Sequence, residues 1–191
     1  MDKNILQAEI FNQLEMEDLL KKEESVRMTL LMNPNDIDML SELAILLYHK
    51  GDYSSAIKIY KKVVDYKEDK AESFAFLGHL YYENEEYLKA IRYFEKALDI
   101  NPDVAFVHFL LGNAYSRAGK IMEAITSYDF AIFLDLDIYK AHIDFAEKYE
   151  KMGLLDRALK EYVIAYEIDP REKNIGEKIK KLKEKLEVKV V

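Results

Sequence analysis

The stretch that decides the fold is AFVHFLLGNAYSRAGKIMEAITSYDFAIFLDLDI, residues 105–138, read as one unit of 34 residues. Its skeleton combines apolar, small and aromatic side chains, namely His108, Leu111, Gly112, Tyr115, Gly119, Ala124, Tyr128 and Ala131. Apolar residues spaced three and four apart predict two amphipathic helices within the stretch. The three prolines of the chain, Pro34, Pro102 and Pro170, lie 68 residues apart, which is twice 34. The same period therefore organises the neighbouring sequence.

The skeleton recurs in phase on both sides of this unit. Unit 37–70 carries Leu40, Leu43, Ala44, Leu47, Gly51, Ala56, Tyr60 and Val63. Unit 71–104 carries Phe74, Leu77, Gly78, Tyr81, Ala90, Phe94, Ala97 and Pro102. Unit 139–172 carries His142, Phe145, Ala146, Tyr149, Gly153, Ala158, Tyr162, Ala165 and Pro170. Four matches without an insertion make a repeat architecture the prediction, because one helix pair cannot bury its apolar face without a neighbour.

Small residues and turn residues stand where such helix pairs need them. One set on each first helix lets the second helix approach closely: Ala44, Gly78, Gly112 and Ala146. A second set plays that part on the second helices: Ala56, Ala90, Ala124 and Ala158. Gly51, Gly119 and Gly153 are placed for tight turns with a left-handed residue, and Asp52 is placed to cap the helix that follows.

This skeleton resembles the tetratricopeptide repeat, whose pattern is W-x2-L-G-x2-Y, then A-x3-F, then P, with a period of 34 residues. The resemblance covers residues 37–172. It implies an all-α fold, a right-handed α-solenoid of stacked antiparallel helix pairs. The sequence departs from the pattern at some positions: Leu40, Phe74, His108 and His142 replace Trp, Glu68 and Leu136 replace Pro, and Glu85 replaces Gly.

The flanking segments are predicted to be helical as well. Residues 1–36 suggest two helices that form either a degenerate repeat or an N-terminal cap, with Lys22 where later units have Ala. Residues 173–191 suggest a helix with an apolar stripe of Ile175, Ile179, Leu182 and Leu186. Such a helix would cover the end of the stack. A coiled-coil or dimer contact is the alternative, although the stripe is short for one.

Composition narrows the function classes. The chain has 191 residues, no Cys and a net charge of −8. Seven Lys against three Glu make residues 173–191 basic, so residues 1–172 carry −12, which argues against general nucleic-acid binding. No basic segment followed by an apolar run begins the sequence, and no window approaches 18 apolar residues. We therefore expect no signal peptide, no membrane insertion and a cytoplasmic protein.

No motif of an enzyme or a cofactor site is present. Residues 112–120 contain glycines followed by Lys120, but six residues separate the glycines where a phosphate loop has four, and Ile121 replaces its Ser or Thr. His108 and His142 are expected to be structural, because they occupy the aromatic packing position. His49 and His79 are expected to face the groove, where a metal site is conceivable but lacks a carboxylate to complete it. We predict no catalytic, cofactor or metal residues.

The family resemblance implies that the first helices line a peptide-binding groove. Its predicted residues are Ile45, Tyr48, His49, His79, Tyr82, Phe106, Phe109, Asn113, Lys140 and Ile143. Phe106 and Phe109 are predicted to be surplus to the core of their unit, and exposed aromatic surface marks binding sites. The Lys/Asn/Arg clamp by which some family members grip chaperone C-termini is not matched, since only Lys140 fits.

The favoured function is a non-enzymatic protein–protein interaction adaptor. Its ligand would be a peptide or helix with apolar anchors flanked by basic residues, since an acidic set borders the groove: Glu72, Glu83, Glu147 and Glu150. The alternative is a dedicated chaperone or a self-assembling scaffold, with homo-oligomer contacts through the N-terminal helices or residues 188–191.

Overall fold

A computed structural model describes residues 5–11, 15–66 and 70–188. These residues form eleven α-helices and no strand: α1 Ile5–Phe11, α2 Met16–Met32, α3 Ile37–His49, α4 Tyr53–Tyr66, α5 Ala71–Glu83, α6 Tyr87–Ile100, α7 Ala105–Arg117, α8 Ile121–Phe133, α9 Ile138–Lys151, α10 Leu155–Ile168 and α11 Lys173–Val188. The predicted all-α class is confirmed. Within these ranges no helix is both long enough and apolar enough to cross a membrane.

The helices divide into two compact units, Met1–Asp135 and Leu136–Val191. In the first unit, α3 pairs with α4, α5 with α6, and α7 with α8. Successive pairs stack through α4 against α5 and α6 against α7, while α2 packs on α3 and α1 contacts α5. In the second unit, α9 pairs with α10 and α11 packs on α10. The stacked helix pairs that the repeat predicts are therefore present.

Aspartate caps fix where several helices begin. The carboxylate of Asp36 accepts a hydrogen bond from the backbone N of Met39 at 3.1 Å, at the start of α3. Asp137 does the same for Lys140 at 2.9 Å, at the start of α9. Such a cap satisfies one of the backbone donors that the first turn of a helix leaves unpaired. The predicted cap Asp52 accepts from the backbone N of Ser55.

The tight turns inside the helix pairs use left-handed residues. Gly51, Gly119 and Gly153 have φ of 79°, 76° and 72°, which confirms the turn geometry predicted for these glycines. In the α5–α6 turn Glu85 takes the same conformation, with φ 62°. This conformation is sterically less favourable for a residue with a Cβ than for glycine. The turn geometry is therefore kept although Glu85 stands where the repeat pattern has glycine.

Two helical glycines mark close approaches between paired helices. A Cβ built on Gly78 would lie 2.8 Å from the Phe94 ring, and one built on Gly112 would lie 2.6 Å from the Tyr128 ring. Both distances are far below ordinary van der Waals contact. The aromatic residue of each second helix therefore fills the space that the glycine of the first helix leaves, as the repeat pattern predicts.

Candidate functional site

The first helices of the three pairs, α3, α5 and α7, carry most of the predicted groove residues. A buried polar cluster joins α3 to α5 beneath this face. Tyr48 Oη and His79 Nε2 share a hydrogen bond of 2.9 Å, and Glu83 Oε1 lies 3.3 Å from the same nitrogen. All three side chains are essentially inaccessible to solvent. They therefore stabilise the packing of α3 on α5 and present no reactive group at the surface.

This burial corrects the expectation that Tyr48, His79 and Glu83 face a ligand. Tyr82, which stacks on the His79 ring with centroids 6.3 Å apart, is also buried. Glu83 was predicted to supply negative charge at the groove edge, but its carboxylate lies beside His79 inside the protein. His79 and Glu83 lie one turn apart on α5, and Tyr48 contacts His79 from α3 of the neighbouring helix pair. Sequence periodicity gives no distance for such contacts.

His49 is also largely buried, with its ring 4.9 Å from that of Tyr48. Neither it nor His79 belongs to a group that could hold a metal ion, and no such group of three or more His, Cys, Asp or Glu occurs among residues 5–11, 15–66 and 70–188.

Phe106 and Phe109 are not exposed, and the prediction that they form surplus aromatic surface is wrong. Their side chains are 3% and 0% exposed. The two rings lie 6.1 Å apart, and Phe109 also lies 6.2 Å from the Tyr128 ring of its own helix pair. Phe106 lies 6.0 Å from the Phe11 ring of α1. The N-terminal helix therefore contributes to their burial.

Helix α1 lies over the face that was expected to be an open groove. Leu6 and Ile10, one helix turn apart, are both 0% exposed. Burial, and after it the charge of Glu9 on the same helix, raises the pKa of the Tyr60 hydroxyl on α4. Sequence analysis identified a helix in this segment but not its docking site, because the residues that it contacts are far away in the chain.

A cavity remains beside the docked helix. Leu6 of α1 lines it together with residues of α5, α6 and the start of α7: Ala71, Glu72, Ala75, Ala97, Asn101, Val104 and Val107. Its volume is about 160 Å³, similar to that of an engineered apolar cavity of about 150 Å³ that accommodates benzene. Most of its lining is apolar, and Glu72 is exposed at its edge. The fit of α1 to this face is therefore incomplete.

The remaining predicted positions in the first unit are less accessible than expected. Asn113 is buried, and its side-chain oxygen accepts a hydrogen bond from Tyr128 Oη at 2.7 Å. This bond holds α7 to α8, so Asn113 has a structural role. Ile45 on α3 is half-buried.

In the second unit, Lys140 is exposed and Ile143 is half-buried, both on α9. One nearby acidic residue, Glu147, contacts the C-terminal helix. Lys178 of α11 donates to Glu147 Oε1 at 3.2 Å and to Tyr162 Oη at 2.9 Å. Partial burial lowers the pKa of Lys178, but these two hydrogen bonds outweigh it, so the pKa lies above its ordinary value. The bonds fasten α11 across its helix pair.

His108 and His142 take part in packing, as predicted. His108 Nε2 donates to the backbone oxygen of Pro102 at 2.8 Å, and its ring stacks 5.2 Å from Phe130 on α8. His142 is buried, with Nδ1 2.7 Å from Glu161 Oε2 on α10. Each histidine therefore joins the two helices of its own pair.

Comparisons with known proteins agree with this architecture. Residues 49–131 match the family model described as anaphase-promoting complex, cyclosome, subunit 3. Among solved structures, MamA is 24% identical with a TM-score of 0.62, over 91% of this chain and 99% of that chain. TTC0263, a thermophilic TPR protein of Thermus thermophilus, is 22% identical with a TM-score of 0.56, over 93% and 98%. The chain has the tetratricopeptide-repeat fold.

A further tetratricopeptide-repeat structure adds a functional comparison. YrrB, described as a TPR protein with an unusual peptide-binding site, is 23% identical with a TM-score of 0.55, over 80% of this chain and 79% of that chain. At this identity the likeness concerns the fold. No curated protein matches the chain.

Proposed function

We propose that this tetratricopeptide-repeat protein is a non-enzymatic adaptor that binds a helix or peptide of a partner protein on the face formed by α3, α5 and α7. The observation that carries the proposal is the docking of α1, whose Leu6 and Ile10 are completely buried. This face therefore accepts apolar side chains one helix turn apart, which is the pattern of a helix-in-groove ligand. The adaptor function also agrees with the peptide-binding site named for YrrB.

The partner proposed here presents two large apolar anchors with a basic residue beside them. Glu72 is exposed at the edge of the cavity, where its charge would favour Lys or Arg on the ligand and raise the rate of association. A separate proposal concerns the second unit alone, in which Lys140 and Ile143 on α9 would contact a ligand. Tyr48, His49, His79, Tyr82 and Asn113 would act from beneath by holding the first helices in place.

Site-specific photocrosslinking tests the placement. A benzoylphenylalanine at Glu72 stands at the edge of the cavity, and one at Lys61 stands on an exposed position of α4 as the control. We expect partner adducts at Glu72 and none at Lys61, with the crosslinked partner peptide containing large apolar residues. Equal adducts at both positions, or adducts at Lys61 alone, would contradict the placement.

A self-assembling scaffold is the second candidate, and the surface of α8 favours it. Large apolar residues are exposed along this helix: Ile121, Met122, Ile125, Phe130, Ile132 and Phe133. Exposed apolar surface of this extent is typical of an interface. Light scattering of the wild type and of a Phe133→Ser variant tests the idea. A concentration-dependent mass that the variant loses would support self-assembly, and a monomer at all concentrations would refute it. Self-association is also predicted through residues 188–191, of which residues 189–191 lie outside the described residues.

A further inference from the structure

We propose that α1 is an intramolecular occupant of the binding face and that a partner helix binds by displacing it. The inference rests on the proposed function and adds a regulation to it. The partner is an amphipathic helix of another protein that resembles α1 in chemistry, with two large apolar residues four positions apart. The unliganded chain therefore holds its own binding face closed.

The way in which α1 is held supports this interpretation. Its described residues, Ile5–Phe11, bury the two large apolar side chains Leu6 and Ile10, and most helical stability in proteins comes from such packing of an apolar face. Ala8, on the same helix, is exposed. An element held by one short apolar stripe is one that a competitor can release, because a few side chains carry the contact.

The incomplete fit supports displacement as well. The cavity beside Leu6 is bounded by the apolar side chains of Ala75, Ala97 and Val107. Across this space the apolar atoms that line it make no dispersion contact with α1. A partner helix with larger or additional anchors would fill this space and gain contacts that α1 does not make. Such a helix binds the open face more tightly than α1 does, and this difference in affinity drives the exchange.

Competition within one chain has a measurable consequence. A segment tethered next to its docking site acts at a high effective concentration. A ligand added from solution therefore binds with an apparent dissociation constant raised by the inverse of the open fraction. Loosening α1 should tighten the binding of the same ligand, although no residue of α3, α5 or α7 has changed.

The test uses the full chain and a fluorescein-labelled peptide with the sequence of residues 1–14 as the probe. Three chains are compared: the wild type, an Ile10→Asp variant that places a charge on the buried stripe, and an Ala8→Asp variant that places the same charge on the exposed side of α1. We expect the probe to bind the Ile10→Asp chain about tenfold or more tightly than the other two. A probe that itself carries Ile10→Asp should bind none of them.

Several results would overturn the inference. Equal affinity of the probe for all three chains would mean that α1 does not compete, while leaving the proposed function in place. Binding to none of them would mean that this face does not recognise the α1 stripe in trans. A dimeric wild type and a monomeric Ile10→Asp variant in light scattering would place α1 on a second copy. The proposed function fails separately, if crosslinking at Glu72 captures no partner.

Discussion

Adding a single methyl group at Gly78 should destabilise the first unit. The substitution Gly78→Ala places a Cβ 2.8 Å and 2.9 Å from two atoms of the Phe94 ring and 3.3 Å from the backbone oxygen of Ala90. The Phe94 side chain is 0% exposed, so its ring cannot rotate into solvent. The oxygen belongs to the backbone of α6, which moves only if the helix moves. The methyl group must therefore push α5 and α6 apart.

Two opposing effects set the size of the change. Inserting a methyl group into a packed core costs about 1–3 kcal/mol, and a fixed ring with fixed backbone beside it places Gly78 in the upper half of that range. Replacing glycine by alanine inside a helix recovers about 1 kcal/mol. The net loss of unfolding free energy should be about 1–2 kcal/mol, which corresponds to a fall in Tm of roughly 2–8 °C for a chain of this length.

Urea unfolding followed by circular dichroism at 222 nm measures the loss, as a lower midpoint with an unchanged denaturant slope. Gly176→Ala is the matched control, because the nearest atom to its new Cβ is 3.5 Å away on the Tyr166 ring. That substitution should stabilise its helix by about 1 kcal/mol. The reasoning is refuted if Gly78→Ala is neutral or stabilising, or if both substitutions act in the same direction.

Three further predictions concern single side chains. Gly112→Ala should also lower the midpoint in the same urea assay, because its Cβ would lie 2.6 Å from the Tyr128 ring, whose hydroxyl is bonded to Asn113; an unchanged midpoint would contradict this. Arg171→Ala should raise the pKa of Asp169 from about 2 toward its ordinary value, since hydrogen bonds from Arg171 lower it. An NMR titration of Asp169 measures this change, and an unchanged titration would contradict it. In the wild type the lowered pKa stabilises the fold above pH about 4, and this contribution is lost as the pH falls toward about 2. Lys178→Met should release α11, seen as faster hydrogen exchange there than in α9 and α10; unchanged exchange would count against the fastening role.

The sequence predicts the helix pairs well because their determinants are local. Gly78 and Phe94 occupy fixed places in one period, and the space left by the first is filled by the second. Gly51 and its equivalents satisfy a backbone requirement that is visible in the sequence alone. The turn is intact even where Glu85 replaces the glycine of the repeat pattern. Such features repeat every 34 residues, so four imperfect copies reinforce one another.

The candidate site could not be predicted in the same way. The period assigns Phe106 to the inner face of a first helix but carries no information about what covers that face. The covering ring, Phe11, lies outside the repeats and about 95 residues away in the chain. The boundary between the two compact units, after Asp135, likewise falls inside the region where the period is regular. It follows a residue with φ 62°, and Leu136 stands there in place of the usual proline.

The separation between Phe11 and Phe106 has a consequence during synthesis. A ribosome adds about 5–20 residues per second, so Phe106 is translated about 5–20 s after Phe11. During this interval the apolar stripe of α1 is accessible to holdase chaperones, to proteases or to neighbouring nascent chains. An affinity tag fused ahead of α1 would sit beside the proposed ligand site in the finished molecule, which makes the opposite terminus the better choice for purification.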